Sequence, residues 1–595
     1  MGKQETSLAP LWRLWGHIRY LRRWQLLTLT LLTLLGAIAE LVSLGMVIPF
    51  LGILTAPDQA FSYTIVQPVV SWLGLSEPRQ LLLPLTIMFA ISAIVAGLLR
   101  LALLSSQMRL CNSIGNDLGC DIFRRTLYQP YRVHVARNSS EIVTVLMTKI
   151  NTVVYYILIP LINIFTSSII ILAVIIFMFF VDLRLTMIAI ISFSLLYSMV
   201  VGITRVHLIE NSQIVSIKQS HVTKIAQESL GGIRDILIDG LQEIYLKMYQ
   251  KADFQLRKAL SSIGIIGGAP KPIIEALGIV LISFLAYFLM IHTNETHSIV
   301  PLLGVLALAF QRLLPLVQQL YSGWASIMGG KNSLSDVLAL LDQPLPIFSS
   351  KSLMECITFK YKICLVDIHF RYSSEGPWIL KGVNFEVQRG RKIGLIGETG
   401  SGKSTLLDLI MGLLSPTSGF IEVDDGRLNQ ATKRAWQSRI AHVPQSIYLT
   451  DATIAENIAF GVPLNQINMT RIKEAAKKVK IADLIESWAN GYQTYVGERG
   501  IRLSGGQRQR IGIARALYKA AEVIIFDEAT SSLDNKTEKE VMDAVNDLSS
   551  DRADLTLIIV AHRLTTLKGC DQIIELSDGV VTRVGSYDQM IANEN

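Results

Sequence analysis

The chain has 595 residues, of which 50% are apolar and only 17% charged, with a formal net charge of +7 and a mean hydropathy of +0.41. Soluble domains carry about 25% charged residues, so a soluble enzyme, a disordered protein and a disulfide-stapled secreted module are all excluded. The average hides a division: residues 1–340 hold 42 charged side chains and a net +8, whereas 341–595 hold 61 and a net −1. The first part has the composition of a membrane domain and the second that of a soluble one. Five scattered cysteines (Cys111, Cys120, Cys356, Cys364, Cys570) show no paired spacing and suggest neither zinc nor redox chemistry.

A bilayer core of ~30 Å takes about 20 helical residues, and six stretches qualify. The first runs from Leu26 to Leu54, broken by one charge, Glu40, and the second from Leu81 to Leu104, with Arg100 near its end. The third lies between Lys149 and Asp182 and the fourth between Arg184 and Arg205, both without a charge. The fifth runs from Ile273 to Ile291 and the sixth from Ile299 to Leu320, with Arg312 inside it. Basic residues crowd the N-terminus (Arg13, Arg19, Arg22, Arg23) and the segments between spans two and three and between spans four and five, while the alternate loops are basic-poor. The positive-inside rule therefore places both termini in the cytoplasm, and the basic excess reads as topology and lipid contact, with no nucleic-acid partner. No cleavable signal pattern precedes the first span, and the roughly 25 residues before it leave no room for an N-terminal peptidase domain. The two basic segments are long and mostly helical in pattern, so spans two to five are expected to continue into the cytoplasm. In the loop 55–80, the apolar stretch Val66–Leu73 suits a short interfacial helix, although Pro68 argues against a long one. The expected division is a cytoplasmic segment 1–25, an all-α membrane domain of six helices over 26–325, a linker over 326–361 and an α/β domain over 362–595.

The soluble part opens with an alternating strand, Ile363–Phe370, and then a short apolar strand, Lys392–Ile396. Next come Gly397, Glu398, Thr399, Gly400, Ser401, Gly402, Lys403, Ser404 and Thr405, which fit G-x-x-x-x-G-K-[ST] between a strand and a helix. Glycines let the backbone N–H groups turn towards phosphates, Lys403 supplies a point charge, and Ser404 offers a hydroxyl to Mg²⁺ at a helix N-terminus. About 120 residues later an apolar strand ends in two carboxylates, Asp527 and Glu528. Asp527 suits the Mg²⁺ shell, and Glu528 suits a general base acting on water.

Leu503-Ser504-Gly505-Gly506-Gln507, together with the phosphate loop, resembles the ATP-binding cassette ATPases. The resemblance makes the chain a P-loop NTPase that uses ATP and Mg²⁺, with Ser504, Gly505, Gly506 and Gln507 of one subunit completing the site of another. It implies that Tyr372 stacks on adenine, that Gln445 reaches the metal and water, and that His562 contacts the γ-phosphate. It further assigns Glu498 to a contact with the membrane domain and Ser532-Leu533-Asp534 to the loop after the second carboxylate motif. All these stations are intact, which favours a homodimer with two active sites. Six spans followed by one cassette resemble an exporter-type half-transporter of this family. Its cassettes dock on elbows that by position fall near Tyr128–Arg137 and Gly231–Gln242. The implied activity is ATP hydrolysis coupled to movement of a substrate across a bacterial inner membrane.

Three strings resemble bacterial flippases for lipid-linked oligosaccharides and their polysaccharide-export relatives: Gly45–Phe50, Pro270–Gly278 and Arg312-Leu313-Leu314-Pro315. The cargo this implies is an amphiphilic lipid-linked glycan; another amphiphile (a lipid A-like lipid, a drug, a peptide) and an ATP-gated channel or sensor are the alternatives. A diphosphate glycan needs cations facing a cavity, and ionisable groups inside spans are functional candidates. Arg312 and Arg100 are the candidates, with Glu40 either their partner or a cavity residue; snorkelling to the headgroups is the competing reading for Arg100.

Overall fold

The computed structural model describes residues 9–55, 71, 74, 77–181, 183–292, 296–345, 357–528, 535–561 and 563–592. The chain forms two compact units, Met1–Gln129 with Arg137–Leu345, and Pro130–Ala136 with Pro346–Asn595.

The first unit is all helix. Its elements are α1 (Ala9–His17), α2 (Tyr20–Gly45), α3 (Val47–Thr55) and α4 (Leu82–Leu127), then an unbroken helical run from Ser139 that ends in α5 (Ile159–Val181). There follow α6 (Leu183–Gly231), α7 (Gln242–Gly268), α8 (Pro270–His292) and α9 (Thr296–Leu341). The six apolar stretches lie in these helices. Among the described residues, Tyr20–Leu54, Pro78–Leu127 and Ser139–Phe180 are long and apolar enough to cross a membrane. At 46 and 49 residues, α4 and α6 far exceed a bilayer, as expected of spans that continue into the cytoplasm. The elbow regions hold two short helices, Tyr131–Ala136 and Ile233–Ile238.

Three features depart from the sequence expectations. The first span is kinked: α2 ends at Gly45 and α3 starts at Val47, with Met46 between them still in the right-handed helical region. Pro49 has no N–H to give the Gly45 carbonyl, and its ring crowds that carbonyl. The run 139–181 contains two π-helical turns, Val145–Lys149 and Val154–Leu158, which no periodicity announced. The segment expected as linker from 326 stays helical to Leu341, because Leu334, Val337, Leu338 and Leu341 recur at helical spacing and are buried. The stretch Val66–Leu73, Ser71 apart, lies outside the described residues.

Close packing and a few polar ties hold the bundle. A Cβ on Gly115 of α4 would sit 2.5 Å from Val154 Cγ2, so only glycine lets these two helices approach. Lys149, 5% exposed, reaches Asp336 on α9 at 2.6 Å, and Ser216 of α6 donates to the same carboxylate oxygen at 2.6 Å. Three helical elements are thus pinned by one carboxylate.

The second unit contains two sheets. One is antiparallel, in the order β2 (Leu380–Gln388), β1 (Lys362–Phe370), β4 (Ser418–Val423), β5 (Gly426–Arg427). The other runs β10 (Val580–Gly585), β9 (Gln572–Ser577), β3 (Lys392–Ile396), β8 (Thr556–Val560), β7 (Val523–Asp527), β6 (Ile440–Val443). In it β3 pairs parallel with β8 and β9, and β7 pairs parallel with β6 and β8. Val523, Ile525 and Ile558 on one face and Ile524, Leu557 and Ile559 on the other are all buried, as strands covered on both faces require. Ligands of such sheets bind beyond the carboxyl ends of the strands, where β3 runs into the phosphate loop and β7 into Asp527 and Glu528.

Candidate functional site

The phosphate loop leaves β3 at Gly397 and enters α10 (Lys403–Ile410) through Gly402. Gly400 and Gly402 have φ of 88° and 102°, and a Cβ on Gly402 would lie 2.9 Å from Leu380 Cδ2, so the loop needs glycine there. The first amide to bond back within this helix is that of Leu406, to Gly402 O at 2.9 Å. The N–H groups of Lys403, Ser404 and Thr405 are therefore the orphan donors of a helix start, suited to an anion. Lys403 Nζ donates to the Gly397 and Glu398 carbonyls at 2.7 and 2.8 Å, which folds the lysine over its own loop. Ser401 Oγ is buried with no hydrogen-bond partner among the described residues. An orphaned hydroxyl and three orphan amides fit a polyphosphate.

Asp527 ends β7 and Glu528 follows it with φ +49°. Burial and the neighbouring Glu528 raise the Asp527 carboxyl pKa, while Lys403 opposes the shift. Burial lowers the Lys403 ammonium, and Glu528 and Asp527 hold it up. Two carboxylates facing one ammonium leave a net negative charge, which fits a divalent cation. Gln445 Nε2 donates to Glu528 Oε2 at 3.0 Å, joining residues 83 apart in sequence. Tyr372 is half-exposed, lies edge-on to Phe370 at 5.0 Å, and its hydroxyl is 3.2 Å from Thr405 Oγ1.

Asp408 on α10 is a site residue that the motifs did not flag. Burial, and then the charge of Asp527, push its pKa up to about 6. Tyr131, of the short helix grouped with this unit, feels both Asp408 and Tyr372, although burial is the larger cause of its raised phenol pKa. The only signal in the sequence was a lone acid five residues after Lys403, on a helix otherwise apolar at that turn.

Ser504 caps α11 (Gly505–Lys519): its Oγ accepts from Gln507 N at 3.3 Å, and Gln507 Oε1 accepts from Ser504 N at 2.9 Å. Gly505 is exposed, with nothing within 4 Å of a built Cβ. The signature turn is thus a rigid, open helix start, and among the described residues no hydrogen bond ties it to the phosphate loop of the same chain. Glu498 is exposed beside Arg499, whose φ is +52°. His562 and Ser532-Leu533-Asp534 lie outside the described residues.

In the membrane unit, Glu40 of α2 is 6% exposed and accepts from two cations. Arg100 of α4 reaches its Oε1 and Arg312 of α9 its Oε2, and Arg312 also donates to Ser43 Oγ at 3.0 Å. Arg100 is therefore not simply snorkelling: it is 64% exposed yet ion-paired. Lys271 and Glu275 are exposed on α8.

Two family profiles match the sequence. One, described as the ABC transporter transmembrane region, covers residues 26–312; the other, described as ABC transporter, covers 380–531. Together they span most of the chain, membrane unit and cassette alike. The chain is an ABC transporter. Among its relatives are proteins named ATP-dependent lipid A-core flippase. The one from Ralstonia nicotianae is 25% identical over 507 residues (84% of this chain, 83% of the relative). That from Saccharophagus degradans is 28% identical over 475 residues (80% and 79%). That from Salmonella typhimurium is 30% identical over 376 residues (62% and 63%). A solved bacterial Atm1-family ABC exporter with ATP bound superposes with a TM-score of 0.75 at 24% identity over 96% of both chains, so it shares the fold. This ABC transporter is an exporter whose cassette binds ATP and couples its hydrolysis to transport. It is a multi-pass protein of the bacterial inner membrane.

Proposed function

We propose that two copies of this chain form an ATP-driven flippase for a phosphorylated glycolipid of the lipid A-core kind. The observation that carries the reading is the Glu40–Arg100–Arg312 cluster: one buried carboxylate shared by two guanidiniums leaves one positive charge over. A guanidinium exchanging a carboxylate for a lipid phosphate keeps a charge-assisted hydrogen-bond partner throughout. The names of the relatives support this cargo over the polyprenyl-diphosphate oligosaccharide expected from the short strings, which shares the same phosphate chemistry.

Hydrolysis follows from the cassette's own residues. The orphan amides of the phosphate loop and the Lys403 ammonium hold the β- and γ-phosphates. Glu528 accepts the proton of the attacking water as its oxygen bonds to the γ-phosphorus and the bond to the β-phosphate oxygen breaks. Gln445 fixes the Glu528 carboxylate and orients it towards that water. Ser404, Gln445 and, through water, Asp527 are the residues that would hold Mg²⁺, whose charge would offset that of the phosphates. Ser504, Gly505, Gly506 and Gln507 complete the site of the partner copy, presenting an open helix N-terminus to its γ-phosphate. The resemblance to the cassette ATPases would bring His562 to the γ-phosphate as a further polar contact. Closure of the two cassettes on ATP and their release after hydrolysis alternate the membrane unit between two states.

The test is translocation in proteoliposomes. Lipid A-core glycolipid and polyprenyl-diphosphate oligosaccharide are assayed in parallel, each by its access to an external modifying enzyme, with Glu528→Gln as control. ATP-dependent movement of the first lipid, lost in the control, supports the reading. Movement of the second alone replaces the cargo, and ATP turnover with neither lipid moving removes both.

A further inference from the structure

A groove of about 800 Å³ runs between α1, the first half of α2, α4 and α5, and the transport cycle above does not use it. Its walls include Trp12, Trp15, Trp24, Leu27, Ile162 and Phe165. Arg23 is the single charged side chain among the lining residues. Trp12 and Trp24 are 73% and 54% exposed. An apolar hollow of this size on a water-facing surface would be a liability, and ligand sites have this range of volume.

Its position identifies what fills it. The arginine-rich segment before the first span places it at the cytoplasmic face of the bilayer. Helix α1 is amphipathic: Leu14 is buried in the bundle, His17 holds Asp342 at 2.8 Å, and Trp12 and Trp15 are turned out. Exposed tryptophans beside arginines mark the headgroup boundary. From Tyr20 to Thr30, the part of α2 that lines the groove, is about 15 Å at 1.5 Å per residue, half of the ~30 Å hydrocarbon core and so one leaflet deep.

Arg23 is fixed at the polar end. Its Nε donates to Ile18 O at 3.1 Å and its Nη2 to Trp15 O at 2.8 Å, and its guanidinium carbon stands 5.3 Å from the Trp15 ring centre. Those bonds use two of five N–H donors. A glycan would find few polar partners here: besides Arg23 the walls offer the Tyr20 hydroxyl, the indole N–H groups of Trp12, Trp15 and Trp24, and a Thr30 hydroxyl that already donates to Leu26 O.

We propose that this groove holds one anionic phospholipid of the cytoplasmic leaflet, its acyl chains along α2 and α5 and its phosphate on Arg23. The site is distinct from the path of the transported glycolipid and does not depend on what that cargo is.

Native mass spectrometry of the full-length protein, delipidated and then titrated with phosphatidylglycerol or phosphatidylcholine, tests it. The expected result is one retained phosphatidylglycerol per chain. Arg23→Gln should cut the preference over phosphatidylcholine about fivefold, the effect of one cation near the headgroups. Arg23 also braces the end of α1, so Trp12→Ala, at an exposed position, and Leu27→Trp, which fills the groove, serve as independent variants. Both should lower retention of either lipid while basal ATP turnover stays unchanged. Absence of a stoichiometric lipid, retention unaffected by all three variants, or displacement of phosphatidylglycerol by equimolar lipid A-core glycolipid would overturn the proposal.

Discussion

The cassette and the membrane unit carry their polar chemistry in opposite ways. In the cassette, reactive groups sit on short contiguous strings at strand ends: nine consecutive residues make the phosphate loop, and two adjacent carboxylates end β7. In the membrane unit one cluster draws on residues 40, 100 and 312, brought together only by the packing of α2, α4 and α9. The cassette holds phosphate largely through backbone amides and keeps its side-chain chemistry on a few residues beside them, Lys403, Gln445 and Glu528. The membrane cluster works through side chains alone, so each of its members is exposed to loss by a single substitution.

That contrast can be broken or sharpened by substitution. The largest effect is expected from Glu528→Gln, which keeps the shape but cannot take a proton: turnover should fall by about 10²–10⁴-fold while ATP binding persists. Turnover near wild type would remove the general-base role. Next comes Glu40→Gln, which strands two guanidiniums; breaking a buried pair costs about 3–5 kcal/mol, read as a lower unfolding temperature and lost flipping. The double variant Glu40→Gln/Arg312→Gln should recover part of the stability but not the transport. Strictly additive losses would show that the three residues are not one unit. Gln445→Ala removes one hydrogen bond to an ionised carboxylate, of about 1.5–3 kcal/mol, so ATPase should drop roughly ten- to a hundredfold with little change in thermal stability.

The smallest effect concerns pH. Asp408 has a folded pKa of about 6 against an ordinary value of 3.8. A raised carboxyl pKa favours the folded cassette below the ordinary value, and that advantage is lost as pH rises through 6. Asp408→Asn should therefore raise the unfolding temperature relative to wild type at pH 8, with the gain shrinking between pH 6 and 4. A gain independent of pH would place its origin elsewhere.

Legibility in the sequence follows the same division. The strands β1, β3 and β7 and the start of α10 were readable because the phosphate loop and its flanking periodicities are local. The extension of α4 and α6 was readable from amphipathic spacing. The kink at Met46 was not, although Gly45 and Pro49 were in view, because a proline inside an apolar stretch bends some helices and ends others. The π turns were not readable either, because a single wide turn inside an apolar helix leaves the hydrophobic pattern almost unchanged. The partner of Glu40 depends on the rotation of three helices about their axes, which hydropathy does not fix. Asp408 was overlooked for a different reason: its perturbation comes from burial under a fold, and no spacing encodes that.

Glu528 also has a conformational side. A non-glycine residue at φ +49° sits in the left-handed region, which costs about 1–2 kcal/mol for a side chain with a Cβ. Selection for a sturdier cassette alone would put glycine at this position and discard the carboxylate. The glutamate therefore marks a place where the chain has given up resilience for chemistry, and Glu528→Gly should give a heat-hardened but inert cassette.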